Sequence, residues 1–476
     1  MTLNVLPEQH GSRAGHSAVV IGGGLAGITS ALALADAGLQ VTLLEGRPRL
    51  GGAAFSFRRS SPAGELTIDN GQHVYLRCCT GYAWFLDRIG ARHLAPLQDR
   101  LDVPVLDVGR ARPRLGRLRR TALPVPLHLA ASLATYPHLS PAERAGIGRA
   151  ALALKSLDPY DPALDGINFG EWLRRKGQSA RAIEAIWDVV AVATLNARCA
   201  QSSLGLATMV FKTGLLTKPG HADIGIPQVP LGELHDTRAR AVLDTAGVRT
   251  ALRSRVTAIA RGADGRWDID VETAPHSSTR LAADTVVLAL PQHDAHGLLP
   301  AGALDDPGRL LKIGTAPILN LHVVYDRKVL RRPFFVAIGT PVQWVFDRTD
   351  TSGLTEGQYL AVSQSAAHEE IDQPVSQLRE RYLPELARLL PAARDAKVRD
   401  FFVTRERTAT FAPSPGVGRL RPPASTNAPG LYLAGAWTAT GWPATMESAV
   451  RSGLTAAGAA LSELGRPHRS PLLEAV

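Results

Sequence analysis

Gly22, Gly24 and Gly27, Glu45, and the polar residues Asp69, His73 and Asn196 are the positions whose types and spacing can do chemistry. The glycines follow four residues, Ala18-Val19-Val20-Ile21, that read as a buried parallel strand. Such a turn lays a pyrophosphate against the amino terminus of the next helix, where unpaired N–H groups and a partial positive charge receive it. In this reading Gly22 permits the tight turn, Gly24 the close approach of backbone to phosphate, and Gly27 the packing of helix on strand. Glu45 stands eighteen residues beyond Gly27, where a carboxylate can accept both hydroxyls of an adenosine ribose. An acid there disfavours a 2′-phosphate and hence NADP. His73 has an ordinary pKa near neutrality, so it is either an acid–base group or a histidine satisfied by a backbone carbonyl.

The elements that must position these residues are legible around them. The spacing predicts a strand over residues 18–21, a helix from Leu25 to Ala37 with Gly38 just past its end, and a second strand over Gln40-Val41-Thr42-Leu43-Leu44-Glu45. A basic, glycine-rich turn follows, with Arg47 and Arg49 near the expected phosphates and Gly51-Gly52 again allowing close approach.

Gly22-x-Gly24-x-x-Gly27, Glu45 and Arg49-Leu50-Gly51-Gly52 together resemble the FAD-dependent amine oxidase and phytoene desaturase superfamily. The resemblance implies FAD as cofactor and a sheet domain assembled from separated pieces of chain. Ile68-Asp69-Asn70-Gly71-Gln72-His73 looks like the superfamily's D-x-G stretch, in which Gly71 passes the flavin. In the same way Val256 would offer backbone to the adenine. Ala53 departs from the pattern, because many relatives carry an arginine there.

Near the carboxy terminus, Leu431-Tyr432-Leu433-Ala434-Gly435-Ala436 reads as a strand entering a flavin-facing loop, and a helix begins near Met446. Gly435, Ala436, Ala444, Thr445 and Met446 would border the flavin, with helix N–H groups stabilising negative charge on its reduced pyrimidine edge. Relatives usually have Asp where Ala436 stands. Gly441-Trp442-Pro443-Ala444-Thr445-Met446-Glu447, Leu195-Asn196 and the run from Ile226 to Leu234 resemble the squalene-associated branch, the hydroxysqualene dehydroxylases, over about residues 17–465. That resemblance implies reduction of hydroxysqualene to squalene in hopanoid synthesis, by hydride replacement of an allylic hydroxyl. Asp69, His73 and Asn196 are the candidates to assist the departing hydroxide. A polyene desaturase is the alternative, an amine oxidase comes third, and a prenyl-protein escort without flavin chemistry is disfavoured by the intact glycines and flavin loop.

The fold class expected is α/β with an α+β substrate domain: a discontinuous Rossmann-like FAD domain (residues 17–92, 221–310 and 401–465) and an inserted substrate domain of helices and mixed sheet (residues 93–220 and 311–400). A disordered lead over residues 1–16 and a tail over residues 466–476 complete the chain. Asn168 and Glu171 predict a capped helix start. Residues 254–260 and 266–272 predict a hairpin across Gly262-Ala263-Asp264-Gly265. Trp172 and Trp187 are expected in the core, while Phe334, Phe335, Trp344 and Phe346 are divided between core and cavity lining.

At 476 residues, 45% hydrophobic and 20% charged, with a formal charge of +10, the chain is composed like a globular protein attracted to anionic surfaces. Three cysteines make no disulfide framework, and Cys78-Cys79 has no metal-ligand spacing, so no metal is expected. No window suits a secretory signal or a bilayer span. From Gly109 to Arg120 the arginines carry no acid among them, and a proline-broken apolar run follows from Leu123. That pairing suits either interfacial attachment or a solvated loop. Without interleaved aromatics it does not suit nucleic acid. The partners expected are a triterpene substrate, an anionic membrane surface and squalene-synthase-like enzymes, in the cytoplasm or on the inner face of its membrane.

Overall fold

The computed structural model describes residues 15–109, 113–274, 277–468, 470 and 472. Nearly all of the expected lead, most of the tail, and Arg110 and Arg112 lie outside the described residues.

The apolar run Ser17–Ile21 forms strand β1, Leu25–Asp36 helix α1 and Gln40–Glu45 strand β2, with Gly38 in the left-handed region just past the helix. Both strands are buried on both faces, so they sit centrally in a parallel sheet. That five-stranded sheet runs, in order, Leu431–Leu433, Thr285–Leu288, β1, β2 and Arg249–Leu252, all parallel. Pieces of chain hundreds of residues apart thus make one sheet, as the discontinuous Rossmann-like expectation requires. The hairpin expected after Ser254 forms as Arg255–Arg261 and Trp267–Ala274, and a third antiparallel strand, Ser277–Ala283, is added to it.

The second sheet has seven strands: Val398–Phe411, Thr315–Tyr325, Gln358–Ser365, Trp344–Asp347, Phe334–Ile338, Asp102–Asp107 and Arg114–Arg119. Two expectations need correction here. Residues 401–411, assigned to the cofactor domain, pair along Thr315–Tyr325 in the large sheet. The arginine-rich stretch, expected as interfacial attachment or a solvated loop, is over Arg114–Arg119 an edge strand in antiparallel register with Asp102–Asp107, which corrects the loop reading. Its charge is relieved in part, because Arg117 is salt-bridged to Asp102, and Arg120, just past the strand, holds the buried Asp223 at 2.6 Å.

Residues 141–215 are largely helical, and Asn168 caps its helix by accepting from Glu171 N–H. Trp172 and Trp187 are buried, as are Phe334, Phe335 and Phe346. The carboxy-terminal helix Met446–Glu463 lies on α1 so closely that a Cβ on Gly453 would stand 2.3 Å from the Ala26 carbonyl oxygen. The first and last helices therefore close the cofactor domain together.

Candidate active site

At the turn after β1, Gly22 has φ +109°, and a Cβ there would sit 2.3 Å from the Ala289 carbonyl oxygen. A Cβ on Gly27 would sit 1.8 Å from the oxygen of Gly22, so both positions exclude any side chain. Gly24 is the N-cap of α1, and neither a side-chain cap nor an acid in the first turn occupies the helix amino terminus. The second glycine loop packs directly on the first: Gly51 N–H donates to Gly23 oxygen at 2.9 Å, and a Cβ on Gly52 would stand 2.8 Å from Gly24 Cα. Glu45 Oε2 accepts from Gly23 N–H (2.7 Å) and Oε1 from Arg47 N–H (2.8 Å), which leaves each oxygen a further lone pair for a ribose hydroxyl. Val256 lies on the strand that leaves this loop, where Ser254 N–H donates to the oxygen of Glu45. Bare helix N–H groups, side-chain-free glycines and an acid at the ribose position fit a dinucleotide diphosphate.

Two arginines divide differently from expectation. Arg47 is exposed and contributes its main chain, whereas Arg49 is half-buried, donates to the oxygens of Leu50 and Gly52, and lies over the Phe55 ring. Burial, then the neighbouring Arg47, lower its pKa.

The Asp69-Asn70-Gly71 turn is pinned by partners distant in the chain. Asp69 accepts from Ser56 Oγ and Leu231 N–H through one oxygen and is ion-paired with Arg348 at 3.0 Å through the other, both side chains being buried. Arg348 also donates to Pro227 oxygen. Asp69 is thus a structural carboxylate with its acceptors engaged, a correction to its place among the proton-handling candidates. Asn196 is corrected in the same way. It ends its helix in the left-handed region (φ +54°), and its amide bonds Ala316 oxygen, Thr410 Oγ1 and Ala366 N–H, joining three segments. His73 Nδ1 lies 3.2 Å from Gly71 oxygen, which can only accept, so Nδ1 carries the proton and Nε2 is left as an acceptor. Burial lowers its pKa and keeps it neutral.

Three residues missed by sequence reasoning shape the site. His235 donates from Nδ1 to Ala54 oxygen and meets Tyr82 OH at 2.9 Å, and burial takes its pKa down to about 4. Arg421 is buried without a carboxylate within ion-pair distance among the described residues, and it donates to the oxygens of Ala436, Trp437 and Thr438 and to Thr440 Oγ1. Burial lowers its pKa to about 10, so it remains charged and gathers the carbonyls of the loop that carries Gly435 and Ala436. Glu447, wholly buried, accepts from Gly81 and Tyr82 N–H at the start of helix α2 (Thr80–Arg88) and from Arg451, whose guanidinium lies over Trp442. His235 and Arg421 act on residues distant in the chain, and Glu447, although it closes the Gly441–Glu447 run, takes two of its partners from more than three hundred residues away. Thr445 caps the last helix by accepting from Ser448 N–H, which orders Ala444, Thr445 and Met446 at its amino terminus.

Against that amino terminus lies a cavity of about 580 Å3. Trp442, Met446, Val74, Leu101, Ile186 and Phe211 are among its walls, and of the four aromatics considered above only Trp344 reaches it. Among its polar groups, Trp187 Nε1 donates to Gln178, Tyr75 OH to Ala95 oxygen and Thr194 to Val190 oxygen, whereas the ring nitrogens of the buried His128 have no hydrogen-bond partner. Asp69, His73 and Asn196 are absent from its lining. The volume falls within the range of small-molecule sites, about 300–1,000 Å3, and the walls suit hydrocarbon.

The model of the flavin containing amine oxidoreductases matches residues 25–461. The chain belongs to this flavoprotein family. Its FAD is the group that the glycine cradle and the acid at Glu45 fit, and the protein is an FAD-dependent oxidoreductase. Among its relatives, the hydroxysqualene dehydroxylase of Zymomonas mobilis is 28% identical over 93% of this chain and 98% of that protein. The 15-cis-phytoene desaturase of Narcissus pseudonarcissus is 27% identical over 92% of this chain and 78% of its own length. The cyclohexylamine oxidase of Brevibacterium oxydans superposes with a TM-score of 0.67 at 19% identity, covering 95% of this chain and all of the other, a likeness of fold. No helix among the described residues is long and apolar enough to cross a membrane.

Proposed function

We propose that this flavoprotein reduces hydroxysqualene to squalene, a triterpene substrate provided by squalene-synthase-like enzymes. The single observation that carries the reading is the apolar cavity ending at the Trp442–Glu447 loop, whose walls are mostly hydrocarbon. When bound and reduced, FAD supplies a hydride to the carbon that loses its hydroxyl. The chain's own part is to hold the hydrocarbon, keep water from a developing allylic cation, and fix the loop beside the reacting carbon through Arg421 and Glu447. Full-length coverage of the curated hydroxysqualene dehydroxylase agrees with this reading. His73, neutral with Nε2 accepting, can hold a proton near the turn at Gly71 but gives none up at neutral pH.

Anaerobic mixing of the reduced holoenzyme with hydroxysqualene tests the proposal: flavin absorbance returns in a single turnover and squalene is the extracted product. Flavin that stays reduced sinks it. The likeness to phytoene desaturases supports a second reading, hydride removal from an allylic C–H, in which the oxidised enzyme is bleached by a more saturated polyene.

A further inference from the structure

The cavity has a mouth, and what surrounds the mouth points to what it opens into. Leu127 and Leu152 both line the cavity and are 53% and 55% exposed. Beside them Leu123 is 51% exposed at the tip of a loop closed by the bond from Thr121 N–H to His128 oxygen, and Leu115 on the neighbouring edge strand is 42% exposed. These side chains are held outward by the fold. Ser132 accepts from Arg119 N–H and donates to Arg117 oxygen, tying the loop-and-helix segment to the strand.

The same Ser132 also lines a shallow groove walled by Arg100, Arg114, Arg117, Arg119 and Arg120. These arginines are not equivalent. Arg117 and Arg120 are committed to Asp102 and Asp223. Arg119 reaches Asp102 only at 4.0 Å, and Arg100 and Arg114 have no ion pair among the described residues. Outward leucines around the opening of a greasy cavity, flanked by uncompensated guanidinium groups, are complementary to a bilayer: apolar chains for the leucines, phosphates for the arginines.

We infer that the mouth of the cavity is a docking face for an anionic phospholipid surface, seated so that a water-insoluble substrate passes from the lipid into the cavity without crossing water. The placement rests on the proposed terpenoid reading for its purpose, but not for its test. Arg100, Arg114 and Arg119 meet headgroups, Leu115, Leu123 and Leu127 enter the interface, and Arg117 and Arg120 hold the face in shape.

Flotation of the FAD-loaded protein with vesicles of phosphatidylcholine alone, or mixed equally with phosphatidylglycerol, reads the docking directly. Binding to the mixed vesicles is expected, weakened by salt. Arg114→Gln and Arg119→Gln should each lower the partition coefficient about fivefold, and Leu123→Ser by a similar factor, with the flavin spectrum retained as the control for folding. Arg88→Gln, which removes a positive charge from α2, should leave binding within about twofold. Equal loss in every arginine variant, or no loss in Arg114→Gln and Leu123→Ser, overturns the proposal. So does release from vesicles by inorganic diphosphate at constant ionic strength, which would make the groove a site for a soluble anion, or tighter binding to single-stranded oligonucleotide than to vesicles. A protein that docks as described yet fails to reduce hydroxysqualene defeats the proposed function and leaves the docking face standing.

Discussion

The cofactor cradle and the apolar cavity are built on opposite principles. The cradle is made by what side chains leave out: at Gly22 and Gly27 a single Cβ would drive into carbonyl oxygens, and the ligand-facing groups are backbone N–H. Its tolerance is therefore near zero and its residues are close in sequence. The cavity is made by what side chains fill, from Val74 to Met446, and each wall residue could be exchanged for another of similar bulk. A backbone-made site can be strict about one ligand group, while a side-chain-made site can follow the shape of a substrate.

Acid gives the largest effect expected, acting on the cradle and on the large sheet. Unfolded, the histidines titrate near 6.5; folded, burial depresses His235, in the cradle wall, to about 4 and His322, in the large sheet, to about 3. Below pH 6.5 the unfolded chain binds protons that the native state refuses. Stability is therefore full above that pH and falls as pH drops toward 4 and then 3, by on the order of several kcal/mol. Denaturant titrations at successive pH values should show this slope, and His322→Gln should flatten its lower part. A slope unchanged in that variant would remove His322 from the account.

Gly27→Ala comes next. The added Cβ meets Gly22 oxygen at 1.8 Å, so FAD affinity should fall about a hundredfold or more, equivalent to about 3 kcal/mol, as read by flavin fluorescence during dialysis. A yellow, stoichiometrically loaded variant would break the contrast between the two regions. Val190→Trp, which adds bulk to the cavity wall, should lower kcat/KM for the terpenoid about tenfold to a hundredfold with FAD content unchanged. Loss of FAD in that variant would mean the regions are not separable. The smallest effects separate the two loop arginines: Arg49→Gln should weaken FAD about tenfold, and the exposed Arg47→Gln by less than about twofold. Reversed magnitudes would return Arg47 to the phosphates.

The same contrast explains what could be read from the sequence. Gly22 to Glu45 is legible because a turn, a helix start and a ribose acid are local events, and β1, α1 and β2 form over the residues expected. The cavity is not legible, because Trp187, Phe211 and Ile186 look like ordinary core residues until three-dimensional packing leaves a space beside them. Charged residues misled for a related reason. Asp69 looked available and is ion-paired with Arg348, nearly three hundred residues away, and of the arginines after Gly109, Arg117 and Arg120 looked unrelieved until Asp102 and Asp223 came alongside. Asn196 invited a chemical role, while its left-handed backbone and three hydrogen bonds give it an architectural one.

The contact of Gly453 with Ala26 sets a timetable for biosynthesis. A chain emerging from the ribosome delivers its glycine turn hundreds of residues before the strand Leu431–Leu433 and the helix that covers α1. Loading with FAD is thus a late event, and prematurely terminated products released before residue 431 are expected to remain colourless.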